Sequence, residues 1–148
     1  FADNLGRQRF VGLMNEKAAA LGMTHTRFED AAGIGAGNVS TAEDLFLLAK
    51  YLLNNRSFIL KITSNTVGYN AYGSSQFTDL QNFNVFTGQP DFIGGKVGQP
   101  TVAGQTIVSL FNETFEGQTR PIVIIVLGSV DNAADARAIL THLKATYQ

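Results

Sequence analysis

The chain has 148 residues, 45% of them hydrophobic and 16% charged, with a net charge of −1 and no cysteine. This length and composition predict one globular domain, and they exclude disulfides, thiolate metal sites and a cysteine nucleophile. The nearly neutral charge predicts no affinity for nucleic acid, and the longest apolar run, Ile122 to Leu127, is too short to span a membrane.

The first predicted part of the domain, residues 1–62, has the pattern of helices. A first helix is expected from Arg9, and Gly22 is expected to end it, because glycine commonly follows the last turn of a helix. Its apolar residues recur at steps of three and four, which indicates one buried face. They are Phe10, Val11, Leu13, Met14, Ala18 and Leu21.

A glycine-rich turn region leads to a second helix. Ser40 and Glu43 form a capping box, which predicts a helix from Thr41 to about Asn54. Its expected buried residues are Leu45, Leu48, Ala49 and Leu52. A shorter helical turn is predicted at 57–62.

The hydrophobic period then changes. Residues 63–91 form a predicted hairpin and loop region, because threonine, asparagine, aromatic residues and glycine from 63 to 86 favour short strands. Three stronger strands are predicted at 92–98, 104–112 and 121–128. The second and third are joined by a polar connection containing Gly117, so antiparallel pairing is expected.

A last helix completes the third part, residues 92–148. Asp131 is its expected N-cap. The residues expected to lie on the sheet are Ala134, Ala138, Ile139, Leu143 and Tyr147. Helices followed by a three-stranded antiparallel sheet and a C-terminal helix define an α+β fold class.

No cofactor or metal is predicted. His25 and His142 are the only histidines, and they stand far apart with no metal-binding spacing. The glycines of residues 33–37 follow no predicted strand, so a flexible loop is expected there rather than a nucleotide site. Gly94-Gly95-Lys96 lacks the upstream glycine and the hydroxyl residue of a phosphate-binding loop.

Several segments follow one another in a specific order. They are Phe10-Val11-Gly12-Leu13-Met14-Asn15-Glu16-Lys17, Leu21-Gly22-Met23-Thr24-His25-Thr26-Arg27-Phe28, Gly33, Asn38-Val39-Ser40-Thr41-Ala42-Glu43-Asp44-Leu45, Asn82-Phe83-Asn84, Gly95-Lys96-Val97-Gly98, and Val123 to Gly128. The ordered set resembles the D-alanyl-D-alanine carboxypeptidases, which are low-molecular-weight penicillin-binding proteins. The resemblance implies the C-terminal part of a β-lactamase/transpeptidase-like fold and a serine peptidase acting on peptidoglycan stem peptides.

The resemblance also implies where the catalytic groups should be. In that family a Ser-x-x-Lys motif supplies the nucleophile and its base, and a Ser-x-Asn motif assists proton transfer. This sequence contains neither motif, since Lys61 follows Ser57 by one residue too many. No catalytic residue is therefore assigned; the nucleophile and base are expected upstream of Phe1, and this chain alone is predicted to be inactive.

The third family motif, a Lys-Thr-Gly strand that binds substrate, is present in altered form. The predicted substrate-binding residues are Gly95, Lys96, Val97 and Gly98, with Lys96 facing a substrate carboxylate. Val97 replaces the threonine, which removes a charge-assisted hydrogen bond worth on the order of 1.5–3 kcal/mol. Gly95 and Gly98 are either close-approach positions or bulge residues, and Asn82 and Asn84 are expected to order the loop that enters this strand.

Three interpretations remain open: a portion of a carboxypeptidase, a non-catalytic relative that binds wall peptides or a protein, and a self-associating interaction domain. The first implies an exported, periplasmic or cell-wall-facing protein that binds a peptidoglycan peptide or a β-lactam once completed, although no signal peptide is visible. The family's sheet includes strands from both ends of the domain. A companion N-terminal fragment or a second copy is therefore expected to cover the open sheet edge.

Overall fold

The computed structural model describes residues 4–66, 81–99 and 103–147. Within these ranges the chain forms four helices and three strands in the order α1 (Asn4–Ala20), α2 (Ala42–Asn55), α3 (Ser57–Thr63), β1 (Phe92–Gly98), β2 (Gln105–Phe115), β3 (Gln118–Ser129) and α4 (Asn132–Thr146). The α+β class and the order of the elements agree with the prediction. None of the described helices is long and apolar enough to cross a membrane.

Helix α1 begins at Asn4, earlier than predicted, and ends where predicted. Gly22 has a φ of +79°, and the amide of Met23 donates to the carbonyl of Ala18 at 3.0 Å. The predicted buried face is largely wrong, because Ala18 is the one residue of this helix that is fully buried. Phe10 and Leu13 are 54% and 53% exposed.

Helix α2 is capped one residue later than predicted. The hydroxyl of Thr41 accepts a hydrogen bond from the amide of Asp44 at 3.2 Å, whereas the hydroxyl of Ser40 bonds to that of Thr26 at 2.8 Å. The buried carboxylate of Asp44 also accepts from the Thr26 hydroxyl at 2.7 Å, which fixes the register of the helix start. Of the predicted core residues, Ala49 is fully buried and the three leucines are half-buried.

The three strands form one antiparallel sheet in the order β1-β2-β3. Phe115 of β2 pairs with Gln118 of β3, and the two residues between them, Glu116 and Gly117, have φ values of +50° and +75°. Positive φ at both positions gives the mirror-image turn whose twist matches that of a β-hairpin. The predicted antiparallel connection through Gly117 is thus confirmed.

The sheet has an apolar cluster on each face. One face packs on α4, where the rings of Phe86 and Phe111 meet edge-to-face with centroids 4.9 Å apart. That cluster comprises Phe86, Phe92, Ile107, Phe111, Ile124, Val126, Ala136 and Leu140. The other face packs on α2 and α3 through a smaller cluster of Ala49, Leu60 and Leu110.

The predicted buried face of α4 is wrong, although its predicted cap is confirmed. Asp131 caps α4 as expected, accepting from the amide of Ala134 at 2.9 Å, but the buried face holds Ala136 and Leu140, while Ile139 is 40% exposed. Alanines occur on every side of this helix, so the aliphatic pattern alone does not select its face. Ala134, Ala138 and Tyr147 are also exposed, and Leu143 is half-buried.

The short strands predicted over residues 63–86 are absent from the described part of that region. Residue 63 ends α3, and residues 81–86 form coil leading into a turn. Residues 64–66 and 87–91 form turns and coil, and residues 67–80 of the predicted hairpin region lie outside the described residues.

Candidate functional site

The candidate site is the rim of a cleft between the sheet and helices α2 and α3. The cleft has a volume of about 520 Å³, and all four predicted binding residues, Gly95, Lys96, Val97 and Gly98, line it. They belong to β1, which lies at one edge of the sheet. Lys96 is exposed, Val97 and Gly98 are half-buried, and Gly95 is buried. The structure therefore brings the predicted residues together at the mouth of one cavity.

Lys96 and Val97 point to opposite faces of the sheet. Lys96 pairs with Val108 and Val97 with Ile107, and successive side chains of a strand alternate between the two faces. Val97 packs against the cluster beneath α4, so its methyl groups contribute to the core. The ammonium group of Lys96 donates to the carbonyl oxygen of Val97, which places the cation along the outer edge of the strand.

The structure distinguishes the two roles considered for Gly95. A β-carbon at this position would lie 2.2 Å from the carbonyl oxygen of Val108 and 2.9 Å from Nδ2 of Asn84, so no side chain fits. Gly95 is therefore a close-approach position. The irregularity in pairing lies earlier, between Phe92 and Gly94, and Gly94 has a φ of +153° that favours glycine.

Asn82 and Asn84 order the loop that enters β1, as predicted. Nδ2 of Asn82 donates to the carbonyls of Thr63 and Gly95, at 2.5 and 3.0 Å. Nδ2 of Asn84 donates to the buried hydroxyl of Ser109 at 2.9 Å. Both asparagines therefore fix the loop against the sheet and the end of α3.

Thr63 is the site residue that the sequence reasoning missed. Its hydroxyl accepts from the amide of Gly95 at 3.1 Å and donates to the carbonyl of Leu60 at 2.9 Å. Thr63 precedes Gly95 by 32 residues, and a lone threonine at a helix end carries no signal of such a distant contact.

A loop stabilised by Asp30 also lines the cleft. The carboxylate of Asp30 accepts from the amide of Gly35 at 2.6 Å, from Nδ2 of Asn38 at 2.7 Å, and from the amide of Gly33 at 2.6 Å. The donors at Gly35 and Asn38, that of Gly35 foremost, hold the pKa of Asp30 well below its usual range. Ala32 and Gly33 of this loop line the same cleft as Lys96.

The site supplies binding groups. Lys96 offers a cation for a carboxylate, and β1 offers backbone groups at a sheet edge. Within the described residues, no group of three or more histidine, aspartate or glutamate side chains is placed to hold a metal ion.

Comparisons with solved structures define the class of fold. Penicillin-binding protein D2 from Listeria monocytogenes, in its ampicillin-bound form, superposes with a TM-score of 0.69 at 28% identity over 90% of this chain and 55% of that chain. A D-alanyl-D-alanine carboxypeptidase from Mycobacterium tuberculosis superposes with a TM-score of 0.69 at 24% identity over 97% of this chain and 55% of that chain. Nearly all of this chain thus has the penicillin-binding protein (transpeptidase) fold, and it corresponds to about half of each of those two chains.

Sequence comparisons define the family. The sequence model of the D-alanyl-D-alanine carboxypeptidase family matches residues 4–130, and this chain belongs to that family. A D-alanyl-D-alanine endopeptidase of Haemophilus influenzae is 43% identical over 68 residues, which are 46% of this chain and 23% of the relative. The endopeptidase of Escherichia coli is 27% identical over 149 aligned residues, covering 94% of this chain and 45% of the relative. The chain therefore spans less than half the length of these curated relatives.

Proposed function

We propose that this chain is the substrate-binding portion of a serine-type D-Ala-D-Ala peptidase that acts on peptidoglycan stem peptides, in an exported or periplasmic, cell-wall-facing protein. Lys96 binds the carboxylate of the substrate. Gly95 lets β1 lie close to β2, Gly98 lets the substrate backbone approach, and the N–H and C=O of Val97 pair with the substrate. The observation that carries the proposal is the position of Lys96 between these glycines, on an edge strand at the mouth of a cleft, in a chain of this family.

Peptide binding tests this assignment. Isothermal titration calorimetry measures the affinity of the 148-residue chain for an N-acylated peptide ending in D-Ala-D-Ala. The same titration with the peptide ending in a carboxamide gives the reference affinity. Lys96→Met keeps the aliphatic stem and removes the charge, so we expect roughly 10- to 100-fold weaker binding of the free acid. The carboxamide should bind the parent and the variant equally; equal binding of the free acid by both proteins would contradict the role of Lys96.

Val97 offers a complementary gain-of-function test. Val97→Thr is close to isosteric and restores the hydroxyl of the family motif, so it should favour the free acid over the carboxamide by roughly tenfold relative to the parent. If the preference stays unchanged in a variant with the parent's unfolding temperature, the hydroxyl does not reach the carboxylate.

We further propose that the chain alone does not hydrolyse its substrate and needs additional polypeptide to complete the site. Its cleft is lined mainly by apolar residues, and Ile59 and Leu127 at its margin are 42% and 41% exposed. A companion N-terminal fragment would cover these surfaces and supply the nucleophile and base, whereas a second copy of this chain would only cover them.

Intact-mass analysis with and without benzylpenicillin tests this second part. A second polypeptide that gains the mass of a penicilloyl group would support completion by a companion. Hydrolysis of the peptide by the pure 148-residue chain would refute the proposed inactivity.

A non-catalytic relative that binds wall peptides or another protein is the second candidate. Val97 favours it, because its side chain serves the core and the motif lacks its carboxylate-binding hydroxyl. Equal binding of peptides ending in D-Ala-D-Ala and in L-Ala-L-Ala, with no penicilloyl adduct on any polypeptide in the sample, would favour this candidate over the peptidase.

A further inference from the structure

The outer edge of β1 is closed at one residue by side chains. The amide of Gly95 donates to the hydroxyl of Thr63 at 3.1 Å, and the carbonyl of Gly95 accepts from Nδ2 of Asn82 at 3.0 Å. Both backbone groups of Gly95 are therefore satisfied on the side away from β2. We call Thr63 and Asn82 together the edge clamp.

The next outward-facing peptide groups belong to Val97. In an antiparallel pair, successive residues direct their N–H and C=O groups alternately towards the partner strand and away from it. Because Gly95 faces outward, Lys96 faces β2 and Val97 faces outward again. No strand lies on that side of β1 in the part of the chain that the structure describes. The carbonyl of Val97 accepts from the ammonium group of its exposed neighbour Lys96.

We propose that Thr63 and Asn82 are positioning residues for the peptide ligand. By closing the edge at Gly95, the clamp leaves Val97 as the next residue along β1 whose N–H and C=O can pair with an extended peptide. The clamp thereby limits the pairing register on one side, since a ligand that slipped one pair towards Gly95 would meet side chains already bonded to that residue. This inference rests on the proposed function, and it names the residues that determine how the peptide lies beside Lys96.

The contacts behind the clamp explain how it is held. The hydroxyl of Thr63 also donates to the carbonyl of Leu60 at 2.9 Å, and Nδ2 of Asn82 donates to the carbonyl of Thr63 at 2.5 Å. Oδ1 of Asn82 accepts from the amide of Asn84 at 3.1 Å. The clamp is therefore anchored to the end of α3 on one side and to the loop before β1 on the other.

Amide hydrogen exchange of the 148-residue chain tests the closed edge directly. In the parent, the amide of Gly95 should be protected and that of Val97 should exchange freely. Thr63→Val, which removes the acceptor without changing the shape of the side chain, should increase exchange at Gly95, and Thr63→Ser should restore protection. A Val97 amide that is as protected as the Gly95 amide without ligand would overturn the proposal.

Titration with the N-acylated D-Ala-D-Ala peptide tests the positioning role. The peptide should protect the Val97 amide in the parent, and Asn82→Ala should weaken binding by roughly three- to tenfold, the effect of one hydrogen bond. Asn84→Ala is the matched control from the same loop, because Asn84 bonds to Ser109 inside the sheet. This control should lower the unfolding temperature while leaving the affinity of the folded protein unchanged.

The outcomes separate this inference from the proposed function. If the peptide protects Val97 but Asn82→Ala and Thr63→Val bind it as the parent does, the positioning role is wrong and the proposed function stands. If no peptide concentration up to the millimolar range protects Val97, peptide binding by this chain is refuted, and the clamp is then only a structural contact.

Discussion

Replacing Gly95 by alanine is the sharpest test of the strand geometry at the site. The added β-carbon would lie 2.2 Å from the carbonyl oxygen of Val108, and real β-carbons essentially never approach a neighbour closer than 3.0 Å. The obstacle is backbone, so β1 and β2 must separate locally by roughly an ångström. Overpacking of this kind costs about 1–3 kcal/mol. For a chain of this size each kcal/mol corresponds to about 2–4 °C, so we expect the unfolding temperature to fall by about 3–10 °C.

Gly12→Ala is the matched control, because the same chemical change occurs in the middle of α1 and a β-carbon there has no atom within 4 Å. Alanine is the better helix former by about 0.5–1 kcal/mol, so this variant should unfold at a higher temperature than the parent. Thermal unfolding followed by far-ultraviolet circular dichroism measures both. If Gly95→Ala unfolds with the parent or above it, the close approach of β1 and β2 is wrong.

The remaining predictions concern a loop, a cap and a helix face. The ionised form of Asp30 stabilises the fold, because its pKa is lower in the folded chain than in the unfolded one; this stability is fully present above the ordinary aspartate range and should decline as the pH falls below about 4. Asp30→Asn should flatten that decline in unfolding temperatures measured from neutral to acid pH. Thr41→Ala should lower the free energy of unfolding in urea by about 1 kcal/mol, because the cap of α2 is lost. Ser40→Ala should lower it less, and an equal loss would contradict Thr41 as the N-cap. In the same assay, Leu140→Ala should lower the free energy of unfolding by about 2–5 kcal/mol, and Ile139→Ala by much less. Equal losses would contradict the assigned buried face of α4.

The parts of the fold that the sequence predicts well are those set by local chemistry. Strand β1 has the bounds read from the sequence, Gly22 ends α1 through its positive φ, and Asp131 caps α4. Each of these features depends on a few adjacent residues whose conformational preferences are strong. The cap of α2 was misplaced by one residue, because Ser40 and Thr41 are both good caps and the buried Asp44 decides between them through its bond to Thr26.

In the candidate site, too, the features set by adjacent residues could be predicted from the sequence and the long-range contacts could not. Lys96 and its glycines could be found from a short motif, and the structure places them on the rim of one cleft. What holds their strand in place could not be found, since Thr63 and Asn82 meet Gly95 across 32 and 13 residues of sequence and neither side chain is unusual for a helix end or a loop. Gly95 illustrates why: it has no side chain of its own, and side chains elsewhere in the chain satisfy its backbone N–H and C=O. A short motif on an edge strand can therefore be read from the sequence, while the distant polar side chains that bond to its backbone cannot.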